Sequence, residues 1–507
     1  MTQIAAAPPP FHIAILGGGT AGWMAACLIG HHWPRERVAV TVVESPDIGI
    51  IGVGEGSTPQ LAAFMAKLGI ADADWMPRCN ATYKAGIRFH GWSEAPGFAS
   101  YFHPFATELD SHTMPSFHHH TRLRRGDMDV WAHPDRFSLS ARLAERGLAP
   151  LPTDNFPFAV GYGYHFDATL VGQMLREIAV ERLGVVHRPA MVRDIERSTA
   201  GNIAALILDD ASTLPADFFL DGSGFRAMLI EEALGERFIS FGDNLFNDRA
   251  VAMPTPRADG PLRAQTSATT LSNGWAWHIP LTNRTGNGYV YSSAHLSPDQ
   301  AEAELRTHLG SNAGEARHLQ MKVGRMANSW VHNCLAIGLS QGFIEPLEAT
   351  ALHIVQATIE GFIAAFDAGD FTPQHRDAFN ADINARYDGI RDYIVCHYRV
   401  NRRTDTDYWR ANAANQHLSD SLKAIITCWF TGGDLAREIE EQKIGRYYAP
   451  LSWHCLLAGY GTYPDTARLK PPPPHIPVAD MARIDDFIDR CARNFGDHAT
   501  ALLQHSL

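Results

Sequence analysis

An α/β fold, with a parallel-sheet dinucleotide-binding domain and a mainly α-helical C-terminal module, is what this sequence predicts, and three observations predict it. Residues 12–16 are an apolar run, a glycine-rich turn follows, and a small-apolar series occupies 23–29, which reads as strand, tight turn and helix. Residues 38–43 are β-branched and apolar and close on Glu44, as the second strand of a βαβ unit does. From about Phe371 onward strand-like runs all but cease, leaving helical patterns and irregular linkers such as the prolines at 471–474.

Composition sets the class. The 507 residues suit about three domains of ~150 residues, or one large enzyme with insertions. Hydrophobic residues make up 45% and charged residues 19%, and the 30 Pro and 42 Gly are dispersed, which excludes disorder, collagen and coiled coil. A net charge of −12 argues against a general grip on nucleic acid or anionic membrane. The seven cysteines contain no C-x-x-C, the nearest pair being Cys428 and Cys455, so neither a zinc site nor a disulfide framework is expected, and a reducing cytoplasm is. The first ten residues lack the pattern of a signal peptide, and no stretch approaches ~18 uninterrupted apolar residues.

Further strands are expected at 203–208, 218–220, 289–292 and 334–337, and helices at 170–183 and 352–366. The tract His118-His119-His120 has no second His pair, Cys or Asp at ligand spacing, so it is expected to be a solvated loop rather than a metal site.

In Gly17-x-Gly19-x-x-Gly22 the glycines serve a tight turn, close backbone approach to a pyrophosphate and helix packing, with the phosphates at a helix start formed by Thr20 and Ala21. Glu44 lies where a ribose 2′-OH would be accepted, 22 residues beyond Gly22. FAD is expected rather than NAD because two distant segments, 221–224 and 336–339, each place glycine directly after a strand, and Gly338 and Leu339 would approach the cofactor there.

Three other features suit chemistry. Trp275 and Trp277 are two of only eleven tryptophans, and period two puts both on one face of a strand, where they could form an aromatic core stripe. In Glu345-Pro346-Leu347-Glu348-Ala349-Thr350, a helix beginning near Thr350 would aim free N–H groups at an anion. Lys84 sits among small and apolar residues, where a desolvated amine is a candidate nucleophile.

Taken together these stretches resemble the flavin-dependent tryptophan halogenases. The matching residues are Gly17 to Ala26, Gly52-Val53-Gly54-Glu55, Lys84, His165-Phe166-Asp167-Ala168, Gly274-Trp275-x-Trp277-x-Ile279-Pro280, and Gly338-Leu339-Ser340 through Glu348. The likeness runs to about Tyr408 and weakens beyond. It implies an FAD-binding domain of flavin monooxygenase type. Residues 1–370 would bind FAD and halide and carry substrate-site segments at about 85–160, and 371–507 would be a mainly helical substrate module. It further implies that reduced FAD from a separate reductase, O2 and bromide or chloride yield hypohalous acid, which reaches Lys84 while Glu348 orients the electrophile or takes the ring proton. Glu55 and Leu352 join the expected cofactor contacts, the amides of Thr350 and Ala351 the halide pocket, and His103, Phe105 and Trp453 the contacts to a small aromatic, indole or a derivative.

The family usually reads Glu-Ser-Thr-Gly where this chain reads Glu348-Ala349-Thr350-Ala351, which removes a hydroxyl beside the carboxylate and alters the halide loop. Residues that would grip the amino and carboxylate groups of free tryptophan are not clearly matched; Tyr447, Tyr448 and Trp453 are loose candidates. The competing readings are an FAD-dependent aromatic hydroxylase and a non-catalytic FAD-binding protein, neither of which needs Lys84, Glu348 or the paired tryptophans.

Overall fold

The opening apolar run becomes the central strand Phe11–Leu16, paired in parallel on one side with Val38–Glu44 and on the other with Phe218–Asp221. Ile13, Ala14 and Ile15 are fully buried, as a strand covered on both faces must be. The six-stranded sheet runs Trp330–Val331, Cys334–Ala336, Phe218–Asp221, Phe11–Leu16, Val38–Glu44, Val186–Pro189. One face receives the helix Thr20–His32, itself packed on Ala168–Glu181 and Ala351–Ala368. The computed structural model describes residues 9–49, 52, 54–257, 259–311 and 314–504. Most of the leader at 1–10, and Val53 of the Gly52–Glu55 stretch, lie outside the described residues.

A second, eight-stranded sheet takes in the strand expected at 289–292 and the one bearing Trp275 and Trp277, but its other strands are not predicted from the sequence. Its path is Arg317–Gln320, Arg249–Ala252, Arg284–Tyr291, Gly274–Pro280, Gln265–Leu271, Gly86–His90, Ser100–Pro104, with Thr255–Pro256 paired to Arg284–Tyr291. Most neighbours are antiparallel, yet Gly86–His90 lies parallel to Gln265–Leu271, far away in sequence. Hydrophobic alternation is muted because this sheet is largely buried on both faces: Arg284–Tyr291 has seven of its eight residues buried. Its register sets Trp277 opposite Gly288, where a Cβ would lie 2.0 Å from the indole. Glycine there makes room for the ring.

The later chain is helical, with Arg376–Arg399, Asp407–Ala414, Asp420–Phe430, Leu435–Glu441, Pro450–Gly459 and Met481–Ala492. It also contributes the short strand Phe495–Asp497, which pairs with Leu148–Pro152. Hydrophobic contacts run unbroken from Ile13 to Tyr463, so the helices share the core of the sheets. The histidine tract is a correction. It lies in the helix Asp110–Arg125, not in a loop; His120 is fully buried and His118 stacks on His454 with ring centroids 4.1 Å apart. Flat imidazole surface inside an aromatic cluster supplies the reason, and no metal-holding group of His, Cys, Asp or Glu occurs among the described residues.

Candidate active site

The dinucleotide cradle follows from strand order. Because Phe11–Leu16, Phe218–Asp221 and Cys334–Ala336 are neighbours, their C-terminal turns converge: Gly222 donates to the Leu16 carbonyl at 2.7 Å and Ile337 to that of Asp221 at 2.9 Å. Gly17 has φ +110°, and a Cβ there would lie 2.2 Å from the Gly222 oxygen. One at Gly22 would lie 1.9 Å from the Gly17 oxygen. Beside Gly19, by contrast, nothing stands within 4 Å, and the helix Thr20–His32 opens there with no side-chain cap. This open, uncapped helix start fits a pyrophosphate. Gly338, at φ +59°, brings the third turn against Ala21, and Leu339 follows it in a single helical turn, Gly338–Ser340. Leu352 lies in the first turn of Ala351–Ala368 and Glu55 in the strand Glu55–Gly56. Glu44 ends its strand with its carboxylate 2.8 Å from His187 Nε2.

Lys84 ends the strand Thr82–Lys84, which pairs with Gly163–Phe166. The partner strand also pairs with Glu55–Gly56, so the lysine arrives beside the glycine turn. Lys84 is fully buried and its amine has no hydrogen-bond partner. A Cβ at Gly56 would come within 3.2 Å of Lys84 Nζ and 3.7 Å of the Ala349 Cβ, and the Phe105 ring centroid is 5.3 Å from the amine. Beneath it Thr82 donates to the Pro280 carbonyl at 2.7 Å and accepts from His165 Nδ1 at 3.0 Å; His165 Nε2 accepts from Thr266 at 2.9 Å. Burial pushes the Lys84 pKa down to about 7, against the opposing pull of Glu348.

Glu348 closes the turn Pro346–Glu348 just before Ala349, which holds the left-handed φ of 55°. Its carboxylate, 4% exposed, accepts from His103 Nδ1 at 2.9 Å and from His397 Nε2 at 3.1 Å. The far nitrogens are occupied too: His103 Nε2 accepts from Ser452 at 2.9 Å and His397 Nδ1 from Tyr460 at 2.7 Å. Burial alone would raise the Glu348 pKa, but the two imidazoles outweigh it and hold the carboxyl down at about 2. Burial lowers the pKa of His397, which suits a neutral ring donating on one side and accepting on the other.

The helix Ala351–Ala368 starts with no side-chain cap at Thr350, so its first N–H groups are available to an anion. The paired tryptophans are both buried, their rings 6.4 Å apart; Trp275 donates to Glu345 at 2.9 Å and the Trp277 N–H has no partner. Ile279 and Pro280 finish that strand. His103 and Phe105 lie at the end of Ser100–Pro104 and just beyond it, so both face the Lys84–Glu348 region, yet His103 is tied to Glu348 through a ring nitrogen. Trp453 is buried with its N–H unpartnered and meets the Tyr393 ring edge-on at 4.9 Å. Tyr448 stacks on Tyr393 at 3.6 Å, whereas Tyr447 lies under Arg446 instead. Sequence reasoning missed His397, Ser452 and Tyr460. A lone His on a buried helix face is the only signal His397 gives.

Comparison with known proteins matches this arrangement. The tryptophan halogenase family profile spans residues 12–471. The chain is 37% identical over 487 residues to the 7-chloro-L-tryptophan 6-halogenase KtzR of Kutzneria sp., covering 89% of this chain and 90% of that one. It is 35% identical over 489 residues to the tryptophan 6-halogenase SttH of Streptomyces toxytricini, covering 89% and 90%. Among solved structures, the flavin-dependent halogenase BrvH from Brevundimonas sp. BAL3 superposes with a TM-score of 0.85 at 35% identity, over 98% of this chain and all of that one.

Proposed function

For a chain that belongs to the tryptophan halogenase family and is a flavin-dependent halogenase, we propose that the substrate is a small electron-rich aromatic, indole or an indole derivative. Such enzymes act with reduced FAD from a separate flavin reductase and with halide. The observation that carries the reading is a fully buried, unpartnered lysine amine that feels the charge of Glu348, a buried carboxylate held ionised by two imidazoles.

FAD, when bound in reduced form, supplies the electrons with which O2 oxidises halide to hypohalous acid. In the proposed assignment Gly17, Gly19, Thr20, Ala21, Gly22, Glu44, Glu55, Gly338, Leu339 and Leu352 hold that cofactor, and the amides of Thr350 and Ala351 hold halide. Lys84 Nζ, free of a proton above about pH 7, takes the halogen from hypohalous acid by hydrogen bond or as a haloamine with loss of water. Glu348 orients the electrophile or accepts the proton displaced from the ring. The walls that bury Lys84 keep water from the oxidant. His103 and Phe105, from the segment at about 85–160 within residues 1–370, and Trp453, from the helical module at 371–507, flank the aromatic. The reductase contact is transient, with no nucleic acid or membrane partner. No helix among the described residues is long and apolar enough to cross a membrane, and all seven cysteines are unpaired, which supports a cytoplasmic setting.

The test combines protein, FAD, a flavin reductase, NADH and bromide with indole or free tryptophan. Bromoindole, seen by its isotope doublet, is the expected product, with indole turned over faster than free tryptophan because no clamp for the amino acid's charged groups is matched in the chain. Hydroxyindole without bromide incorporation would replace the halogenase reading by a hydroxylase. Preferential turnover of free tryptophan would overturn the substrate assignment.

A further inference from the structure

Three residues before Glu348, at the start of the same turn, stands a second buried carboxyl, Glu345, 1% exposed and without a cationic partner among the described residues. One of its oxygens, Oε2, collects donors from three other parts of the chain. Trp275 Nε1 donates at 2.9 Å, Asn247 Nδ2 at 3.0 Å, and the Tyr398 hydroxyl through a short bond. Asn247 is held in turn by the Tyr408 hydroxyl, which donates to its Oδ1 at 2.9 Å. Oε1 is buried with no partner at all. Leaving buried polar atoms unmatched is costly, so a purely structural knot would be better served by an apolar side chain.

The topology shows what the knot joins. His397 and Tyr398 are consecutive on the helix Arg376–Arg399, and they grip Glu348 and Glu345 respectively. Trp275 belongs to the second sheet, so its bond ties that sheet to the same turn. Removing Glu345 would therefore release three things together: the turn bearing Glu348, the Trp275 indole, and the register of the helix against both. We propose that Glu345 is a positioning residue of the halogenation site. It fixes Glu348 and Trp275 relative to one another without touching substrate. Burial raises its pKa against the pull of its three donors; what the network requires of this position is an acceptor oxygen for Trp275, Asn247 and Tyr398.

The inference rests on the role proposed for Glu348, and the experiment separates the two. E345A, E345Q, W275F and Y398F are compared for FAD affinity, melting temperature, kcat and KM for indole, and bromoindole formed per O2 consumed. E345A should bind FAD as the parent does, keep KM within about threefold, and lose at least ~10-fold in kcat, with product per O2 falling as unused oxidant escapes. E345Q, which keeps an acceptor for Trp275 and Tyr398, should recover most of that loss with the same pH profile. Y398F and W275F should each lower product per O2 by a smaller factor. A folded E345A with parental coupling overturns the proposal, as does an E345Q no better than E345A. If E345A does not fold, parental coupling in both Y398F and W275F overturns it instead. Loss of activity in E348Q beside a parental E345A removes only this inference. Parental activity in E348Q removes the Glu348 assignment itself.

Discussion

The dinucleotide cradle and the Lys84–Glu348 site lie in one continuous core but are built in opposite ways. The cradle begins from a contiguous strand, turn and helix, Phe11 to His32, and its later contributors dock by ordinary parallel pairing. The reactive site has no local seed. Glu348 is held by His103, 245 positions away, and by His397, 49 positions away, and Lys84 reaches it on a short strand of a separate three-stranded sheet. The cradle depends on backbone that only glycine permits, the reactive site on side chains that must meet within hydrogen-bond distance.

That contrast is sharpest for Lys84→Ala, which should abolish halogenation while FAD affinity and O2 consumption by the reduced protein stay intact. Loss of FAD binding in this variant, or normal halogenation, would show that the two regions are not separable as described. Glu348→Gln should cut the rate by roughly 10²-fold, a loss of general-base size, again with unchanged FAD binding. An unchanged rate would leave Glu348 as scaffold only.

Acidity gives a middle-sized effect. The Lys84 amine is lowered to about 7 from an ordinary 10.5, so between those values the folded chain lacks a proton that the unfolded chain binds. Stability therefore rises with pH across that window, and the free amine, with the rate that depends on it, falls away as pH drops through about 7. Glu348, held at about 2, stays ionised throughout. Lys84→Met should lose this stability slope in melting experiments. A slope that persists would assign it to another group.

The smallest effect concerns halide. Chloride gives up more hydration than bromide on burial, and the Ala349 and Ala351 departures alter the loop proposed to repay it, so bromide should win a competition at equal concentrations. The A349S/A351G double variant should move the product ratio toward chloride. An unmoved ratio would take the loop out of the explanation.

Much of the nucleotide half was legible because its information is local: Gly17, Gly22 and the apolar runs around them restrict the backbone within a few residues. Lys84, Glu348 and the paired tryptophans stood out through resemblance and composition, but their surroundings did not. His118 to His120 reads as polar and proves to be part of a helix, with His118 stacked on His454 and His120 fully buried, because imidazole hydrophobicity depends on what lies against it. Of the second sheet only the strands around Trp275–Trp277 and 289–292 were legible, because strands buried on both faces lack the alternation that marks a half-exposed sheet.

The sequence by itself determined the α/β class and the glycine turns of Gly17 and Gly22, and it singled out Lys84 and Glu348 as candidates, since conformational freedom and chemical type are properties of single residues and their near neighbours. Tertiary structure alone decided that Lys84 is sealed from water and lacks a partner, that His103 and His397 hold Glu348 ionised, and that Tyr398 and Trp275 meet on Glu345. Burial and hydrogen-bond distance arise from segments brought together across hundreds of positions, and no local pattern encodes such a meeting.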